Sequence, residues 1–105
     1  MKKNKKNLTK SFIGAISLNS YVKVKLNNEN KICQIISIRP NDLNKNENEE
    51  SLNEYSYEYY IHYIEYDKRN DHWIKRKDII ETKISNEEIK KIKKEKDEII
   101  FLILL

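Results

Sequence analysis

The sequence contains very little of several residue types on which common functional sites depend. Among its 105 residues, glycine, proline and cysteine each occur once, at Gly14, Pro40 and Cys33. A glycine-rich phosphate-binding loop therefore has no glycines from which to form. A single cysteine excludes an internal disulfide and a zinc finger built on paired cysteines. The longest apolar run covers only residues 99–105, far short of the roughly 20 residues that a membrane-spanning helix requires.

The charge of the sequence is nearly balanced overall but unevenly distributed. Lysine and arginine total 21 and aspartate and glutamate total 17, which gives a net charge of +4. This mild excess permits a nucleic-acid or acidic partner without requiring one. Residues 1–10 contain five lysines and no acidic residue, whereas residues 42–54 carry a net negative charge. We predict a basic, flexible tail over residues 1–16 and a mobile acidic loop over residues 41–54.

The middle of the sequence has the alternating pattern that is typical of short β-strands. Val22, Val24 and Leu26 are separated by lysines, so one face of this segment is apolar and the other is polar. An asparagine-rich turn is predicted at residues 27–30, because asparagine tolerates left-handed backbone conformations. The predicted strands cover residues 21–26, 32–38 and 55–64, with shorter apolar segments at 73–74 and 78–80.

A helix is predicted near the C-terminal end of the sequence. Ser85 followed by Glu88 matches the capping box that begins many helices. A thin apolar stripe comes next and is interrupted at Lys96, so we expect the helix to be weakly docked. The stripe consists of Ile89, Ile92, Ile99 and Ile103. Short strands followed by one helix predict a mainly β protein, with a small SH3-like, five-stranded barrel over residues 17–82 and a C-terminal α-helix over residues 83–105.

Residues 59–74, YYIHYIEYDKRNDHWI, resemble the signature of chromo barrel domains, which are also called tudor-knot domains. The shared pattern is an aromatic pair, a His-Tyr step, a charged turn with Lys-Arg, and a tryptophan. The segment departs from it at His72, where the family usually has glutamate. The Lys-Arg pair makes the segment most similar to the barrels of MYST-family histone acetyltransferases, and the MRG-type barrel is the next most similar. The resemblance covers residues 19–82 and implies the same SH3-like fold.

The resemblance also implies an aromatic pocket for methylated lysine. Family members use aromatic residues at the positions of Tyr63 and Tyr66, and the short turn is expected to bring Trp73 close to both. Such rings hold a methylated ammonium group by cation–π attraction. The cage is incomplete, because Lys31 lies where MRG-type barrels have a further aromatic residue and Asn70 replaces one in the turn. We therefore expect methyl-lysine binding to be weak or absent.

The function implied by the resemblance is that of a non-catalytic chromatin-targeting module. It would bind histone tails or nucleosomes in the nucleus, as part of a MYST-like histone acetyltransferase or of its complex. The acetyltransferase reaction itself requires a zinc finger and a glycine-containing acetyl-CoA loop, for which this sequence lacks the cysteines and glycines. The chain is therefore expected not to be an enzyme and to need no metal or other cofactor, and no membrane partner is expected.

Two alternative functions stay open. The first is an RNA- or DNA-binding barrel whose basic surface contacts phosphates. Its candidate residues are Lys68, Arg69, Lys75, Arg76 and Lys77, to which the basic tail would add. The second is a protein-interaction module that uses the C-terminal helix, for example with other subunits of an acetyltransferase complex. The apolar residues 99–105 would otherwise form an exposed patch.

The aromatic residues also have a plainer structural interpretation. A lone tryptophan after a turn often seals a small barrel, so Trp73 is a candidate core residue as well as a pocket residue. The rings of Tyr63 and Tyr66 can pack while their hydroxyl groups stay hydrated. The tyrosines of the third predicted strand are expected to be ordinary strand residues, and their exposure would instead indicate a stacking platform for unpaired bases. They are Tyr55, Tyr57 and Tyr59.

Overall fold

The computed structural model describes residues 12–42 and 49–104. Five antiparallel strands form one sheet in the order β4-β3-β2-β1-β5. The strands are β1 (Tyr21–Leu26), β2 (Glu29–Pro40), β3 (Tyr57–Tyr63), β4 (His72–Lys75) and β5 (Ile79–Glu81), and the helix α1 (Asn86–Leu104) follows them. The prediction of a mainly β, five-stranded fold with a C-terminal helix is thus confirmed. Most of the predicted basic tail (residues 1–11) and the centre of the acidic loop (residues 43–48) lie outside the described residues, and the three predicted domain boundaries stay predictions.

The β1–β2 hairpin is closed by a two-residue loop. Asn27 and Asn28 have φ angles of 52° and 67°, and Leu26 pairs directly with Glu29. Two consecutive positive φ angles are required by the type I′ loop, whose twist matches that of the flanking strands. The turn is therefore tighter than the predicted span of residues 27–30, and β2 begins three residues earlier than predicted.

The long strand β2 connects the two halves of the sheet. It pairs with β1 from Glu29 to Gln34 and with β3 from Cys33 to Pro40, where Cys33 lies opposite Tyr63 and Pro40 opposite Tyr57. The β2–β3 register shifts between Ile35 and Ser37. Such an irregularity bends a strand and increases its twist, which helps a small sheet to curl around its core.

The inner face of the curled sheet holds the hydrophobic core. Strand β3 alternates strictly, with every second side chain buried and the intervening ones half-buried. The buried side chains of β3 are Tyr57, Tyr59, Ile61 and Tyr63. The Tyr59 hydroxyl accepts a hydrogen bond from the Ile16 backbone and donates one to the Glu54 carbonyl. Tyr57 and Tyr59 are thus core residues rather than stacking platforms.

Cys33 is a buried member of the same core. Burial, with a smaller contribution from the nearby Asp71 charge, raises the pKa of the Cys33 thiol to about 12. The thiol therefore stays protonated at neutral pH and behaves as a small apolar side chain.

The first half of α1 contacts the sheet through polar groups. The Ser85 hydroxyl accepts a hydrogen bond from the Glu88 backbone N–H at 3.1 Å, so the predicted cap is present. Lys93 donates to the Tyr21 hydroxyl at 2.9 Å, and Lys23 of β1 pairs with Glu88 at 3.2 Å. None of the described helix residues is buried, and the apolar side chains from Ile99 to Leu104 are exposed.

Candidate ligand-binding faces

Tyr63, the first of the three predicted pocket residues, is part of the core. Its side chain is only 2% exposed. The Tyr63 ring centroid lies 5.7 Å from that of Tyr66 and 5.6 Å from that of His72. Burial also raises the pKa of the Tyr63 hydroxyl above its ordinary value. The structure thus brings Tyr63 and Tyr66 together, but Tyr63 presents almost no surface to a ligand.

The chain's own lysine lies over the more accessible ring of this pair. The Lys31 ammonium is 5.5 Å from the centroid of the Tyr66 ring, within the range of a cation–π contact. The same ammonium lies 3.1 Å from Glu29 and 3.3 Å from Glu65. The Lys31 side chain is only 15% exposed, and its hydrogen bond to Glu29 raises its pKa above the ordinary value. The position that a methylated ammonium would occupy on Tyr66 therefore already holds a cation.

Trp73 lies on the other face of the sheet. Its strand neighbour Ile74 points into the core opposite Tyr59, and successive side chains of a strand point to opposite faces. The Trp73 ring is half-buried against Tyr60, its cross-strand partner, at 5.1 Å between centroids. Trp73 and Tyr63 nevertheless line one open groove of about 490 Å³, which Tyr66 does not line, so the pocket of three aromatic residues stays a prediction. The turn does return the chain, but strand alternation directs this ring outward.

An arginine completes the outward-facing stack. The Arg39 guanidinium carbon lies 4.0 Å from the Trp73 ring centroid, and an Arg39 nitrogen contacts Glu58 at 2.7 Å. Arg39 and Tyr60 did not enter the predicted sites. The cross-strand register contains the missing information, because Arg39 pairs with Glu58, Glu58 with Lys75, and Tyr60 with Trp73. Predicting these contacts required knowing the alignment of β2, β3 and β4.

The five predicted nucleic-acid-binding residues fall into two groups. Lys68 and Arg69 lie in the turn after β3, where Arg69 contacts Asp67 at 2.7 Å. Lys75, Arg76 and Lys77 lie at the junction of β4 and β5. Both arginines of this set, Arg69 and Arg76, form ion pairs with carboxylates, which compete with phosphate for their charge.

At the β4–β5 junction, the arginine is paired and the two lysines are not. Arg76 contacts Glu54 at 2.7 Å, and its guanidinium carbon lies 5.2 Å from the Tyr55 ring centroid. Lys75 and Lys77 are exposed, and neither ammonium group forms an ion pair with any residue in the described part of the chain. These two ammonium groups are free to contact an anionic partner.

Two shallow grooves adjoin these lysines. One has a volume of about 390 Å³ and contains the Tyr55 ring. The other has a volume of about 360 Å³ and contains Trp73. Glu58, Lys75 and Lys77 line both grooves, so the two aromatic residues flank a shared basic ridge. We name this surface the basic-aromatic face. It consists of Arg39, Tyr55, Tyr60, Trp73, Lys75 and Lys77.

The histidines make local contacts near the turn. His62 Nδ1 lies 2.8 Å from Asp71 Oδ1, and His72 Nδ1 lies 2.9 Å from the Asn70 carbonyl oxygen. Across residues 12–42 and 49–104, no group of three or more potential metal ligands occurs. The two histidines thus form hydrogen bonds to residues at the end of the turn after β3 and stabilise it.

A comparison with protein families identifies the fold. The model of the family described as "Tudor-knot: RNA binding activity-knot of a chromodomain" matches residues 16–81. The chain belongs to the tudor-knot family. The matched tudor-knot begins at Ile16, whose backbone bonds to Tyr59, and ends at the last residue of β5. No curated protein matches the chain.

Family membership establishes a chromodomain-like module, and the tudor-knot is a non-catalytic module. The match does not extend to the MYST-type context, so that narrower resemblance stays a prediction. For the part of the tudor-knot chain that the structure describes, no helix is both long and apolar enough to cross a membrane.

Proposed function

We propose that this tudor-knot binds single-stranded RNA through its basic-aromatic face. The observation that carries the proposal is the arrangement of Tyr55 and Trp73 on either side of two unpaired lysines, Lys75 and Lys77. Exposed rings beside a basic track are the common requirement of proteins that bind single strands. The family description, which names RNA binding, supports the same conclusion.

The aromatic part of this face suits unpaired bases. Trp73 contacts Tyr60 at 5.1 Å between ring centroids and has the Arg39 guanidinium over its ring at 4.0 Å, so the indole is held in place while it remains partly accessible. Stacking of a base on such a ring contributes about 1–3 kcal/mol. A duplex hides its base faces within the helix, and the proposal therefore favours single strands over double strands.

The basic part of the face supplies attraction to phosphates. Arg39 and Arg76 are already paired with Glu58 and Glu54, which leaves Lys75 and Lys77 as the cations of these two grooves that form no ion pair with a described residue. Each phosphate contact on a single strand contributes about −0.7 to the slope of log affinity against log salt. Two such contacts therefore predict a contribution of about −1.4 to that slope.

Methyl-lysine recognition is less well supported by the contacts around Tyr66. Lys31 already lies over that ring, and a second cation would have to displace it from Glu29 and Glu65. The Lys31 side chain is only 15% exposed, so a second cation on this ring would meet a charge that is already held in place beside it. Histone-tail binding through a methylated lysine is therefore the secondary candidate, and variants at Lys31 test it.

The wider context of the module is also part of the proposal. The similarity of residues 59–74 to MYST-type barrels supports a role in targeting an acetyltransferase or its complex to chromatin, with RNA, histone tails or nucleosomes as partners in the nucleus. Imaging the tagged full chain in its own cells tests the location. Stable exclusion from the nucleus would contradict this context without affecting RNA binding.

Fluorescence anisotropy with a short uridine-rich RNA tests RNA binding directly. The full chain is expected to bind at low salt, with affinity that falls as salt increases. The double variant Lys75→Gln/Lys77→Gln should bind more weakly and show a salt slope shallower by about 1.4. The matched control Lys90→Gln/Lys91→Gln removes two exposed lysines of α1 and should bind like the unchanged protein.

Two outcomes would overturn the proposal. One is the absence of RNA binding at low salt. The other is a salt slope that is the same for the Lys75/Lys77 variant and the unchanged protein. Histone-tail peptides, unmodified and trimethylated, form a second arm of the experiment. Tighter binding to a peptide than to RNA would favour the histone-binding function instead.

A further inference from the structure

We infer that the groove around Tyr55 is a binding pocket for one base and that it selects guanine through Asp42. This inference rests on the proposed RNA binding and adds base selectivity to it. The groove has a volume of about 390 Å³, which is within the range of about 300–1,000 Å³ that small-molecule pockets occupy. It combines an exposed ring, unpaired cations and a carboxylate, and each can be matched to a different part of a nucleotide.

Tyr55 is held in a fixed position although it is exposed. The Asn53 side chain accepts a hydrogen bond from the Tyr55 backbone N–H at 2.8 Å. The Tyr55 carbonyl accepts a bond from the Asn41 side chain, also at 2.8 Å. The Arg76 guanidinium lies over the ring at 5.2 Å, yet 53% of the residue remains exposed. A ring that is already ordered loses little conformational freedom when a base stacks on it.

The pocket holds charged groups of both signs, which suit a phosphate and a hydrogen-bond donor respectively. Lys75 and Lys77 line the pocket and provide unpaired ammonium groups that suit a backbone phosphate. Glu58 is neutralised by Arg39 at 2.7 Å. Asp42, in contrast, forms no hydrogen bond or ion pair with any described residue, although it lines the pocket. Its carboxylate is therefore the acceptor that remains available for the edge of a stacked base.

A free carboxylate distinguishes guanine from the other bases. A carboxylate only accepts hydrogen bonds, and its two oxygens can accept two parallel donors. Guanine has two adjacent donors on its Watson–Crick edge, N1–H and the N2 amino group. Adenine, cytosine and uracil each have one donor group on that edge, next to acceptors that a carboxylate repels. Binding in the Tyr55 pocket should therefore be tightest for guanine.

Anisotropy measurements on five fluorescent pentanucleotides test the selection. The probes are UUUUU and its relatives with G, A, C or inosine at the central position. The full chain should bind UUGUU about tenfold more tightly than UUAUU, which is the size expected for one additional hydrogen bond to a charged acceptor. Inosine lacks the N2 amino group, so UUIUU should lose most of this advantage.

The variant Asp42→Asn assigns the selection to one side chain. It should bind UUGUU and UUAUU with similar affinity, because the acceptor that distinguishes guanine has been removed. The matched control Asp97→Asn changes an exposed aspartate of α1 and should keep the guanine preference.

The possible failures point to different conclusions. If no probe binds, the proposed RNA binding is wrong. If UUUUU binds and guanine gives no advantage, RNA binding stands and the inference about this pocket is overturned. Equal binding of guanine and inosine, or a guanine preference that survives Asp42→Asn, would also overturn it.

Discussion

The two aromatic clusters lie on opposite faces of the same sheet and use their rings differently. On the inner face, Tyr63 is buried and Tyr66 is covered by Lys31. On the outer face, Trp73 contacts both Tyr60 and Arg39 but stays partly accessible. Both clusters combine aromatic rings with a cation, so composition alone does not separate them. A carboxylate pairs with the cation in both clusters, and what separates them is solvent exposure: the Lys31 side chain is 15% exposed and the Arg39 side chain 50%.

The largest expected difference between the clusters is in stability. Tyr63→Ala removes a fully packed ring from the core and should lower the free energy of unfolding by about 3–5 kcal/mol. Trp73→Ala removes a half-buried ring from the outer face and should cost less than half as much. Urea denaturation followed by circular dichroism measures both. Equal losses would mean that Trp73 is as important to the core as Tyr63.

Alkaline pH should lower the free energy of unfolding through groups buried on the inner face. The Cys33 thiol has its pKa raised by burial from 9.0 to about 12, so the folded state holds this proton more tightly than the unfolded state does. The contribution of this thiol to the free energy of unfolding is therefore fully present below pH 9. It is lost as the pH rises from about 9 towards 12, and the loss is about 2 kcal/mol near pH 10.5. The raised pKa of Tyr63 acts in the same direction.

Denaturation curves at several pH values check this dependence. Cys33→Ala removes the titrating thiol and should reduce the alkaline loss, although its stability at neutral pH is expected to be lower because the core is less well packed. An alkaline loss that is the same in both proteins would exclude Cys33 as its cause.

For RNA affinity, a substitution on the outer face should have the larger effect, whereas for stability the substitution on the inner face does. Trp73→Ala is expected to weaken binding of a uridine-rich RNA about tenfold, since one stacked base contributes about 1–3 kcal/mol. Tyr66→Ala, on the inner face, should leave RNA affinity unchanged. Anisotropy measured below the unfolding transition of each variant separates binding from folding. A greater loss for Tyr66→Ala would place the RNA site on the inner face.

The smallest expected effect is at Lys31. Lys31→Met keeps the apolar stem but removes the ammonium group from above Tyr66, so a trimethyl-lysine peptide gains access to that ring. A single cation–π contact contributes about 0.5–1 kcal/mol at exposed sites. We therefore expect weak binding in the variant and none in the unchanged protein, visible as a shift of the Tyr66 ring signals in NMR spectra. Binding by the unchanged protein would show that Lys31 does not block this site.

Much of the fold could be predicted because it depends on local patterns. The alternation of Val22, Val24 and Leu26 matches β1, and the Ser85 cap is where the pattern indicated. The start of β3 differed, because the Asn53 and Ser56 side chains close a short turn that moves Tyr55 out of the strand. That turn consists of a few side-chain hydrogen bonds, which compete with strand pairing in a way that the aromatic alternation conceals.

The candidate site was harder to predict because it depends on contacts between strands. The turn after β3 correctly suggested that Trp73 returns to the sheet, but the face that it occupies follows from its pairing with Tyr60. Arg39 could not be connected with Trp73 before the alignment of three strands was known. Lys31 was recognised as a replacement for an aromatic residue, whereas its ion pairs with Glu29 and Glu65 depend on the folded structure.

Because Pro40 pairs with Tyr57, the connection between them, residues 41–56, can change in length without moving either strand. The sheet fixes both ends of this connection, so an insertion leaves the strand alignment intact. The entropic penalty of closing a longer connection grows only logarithmically, by about 0.6 kcal/mol for each doubling. Because Asn41 and Asp42 lie beside one of these ends and line the groove around Tyr55, a change in the length of this segment would reshape that groove while the sheet keeps its pairing.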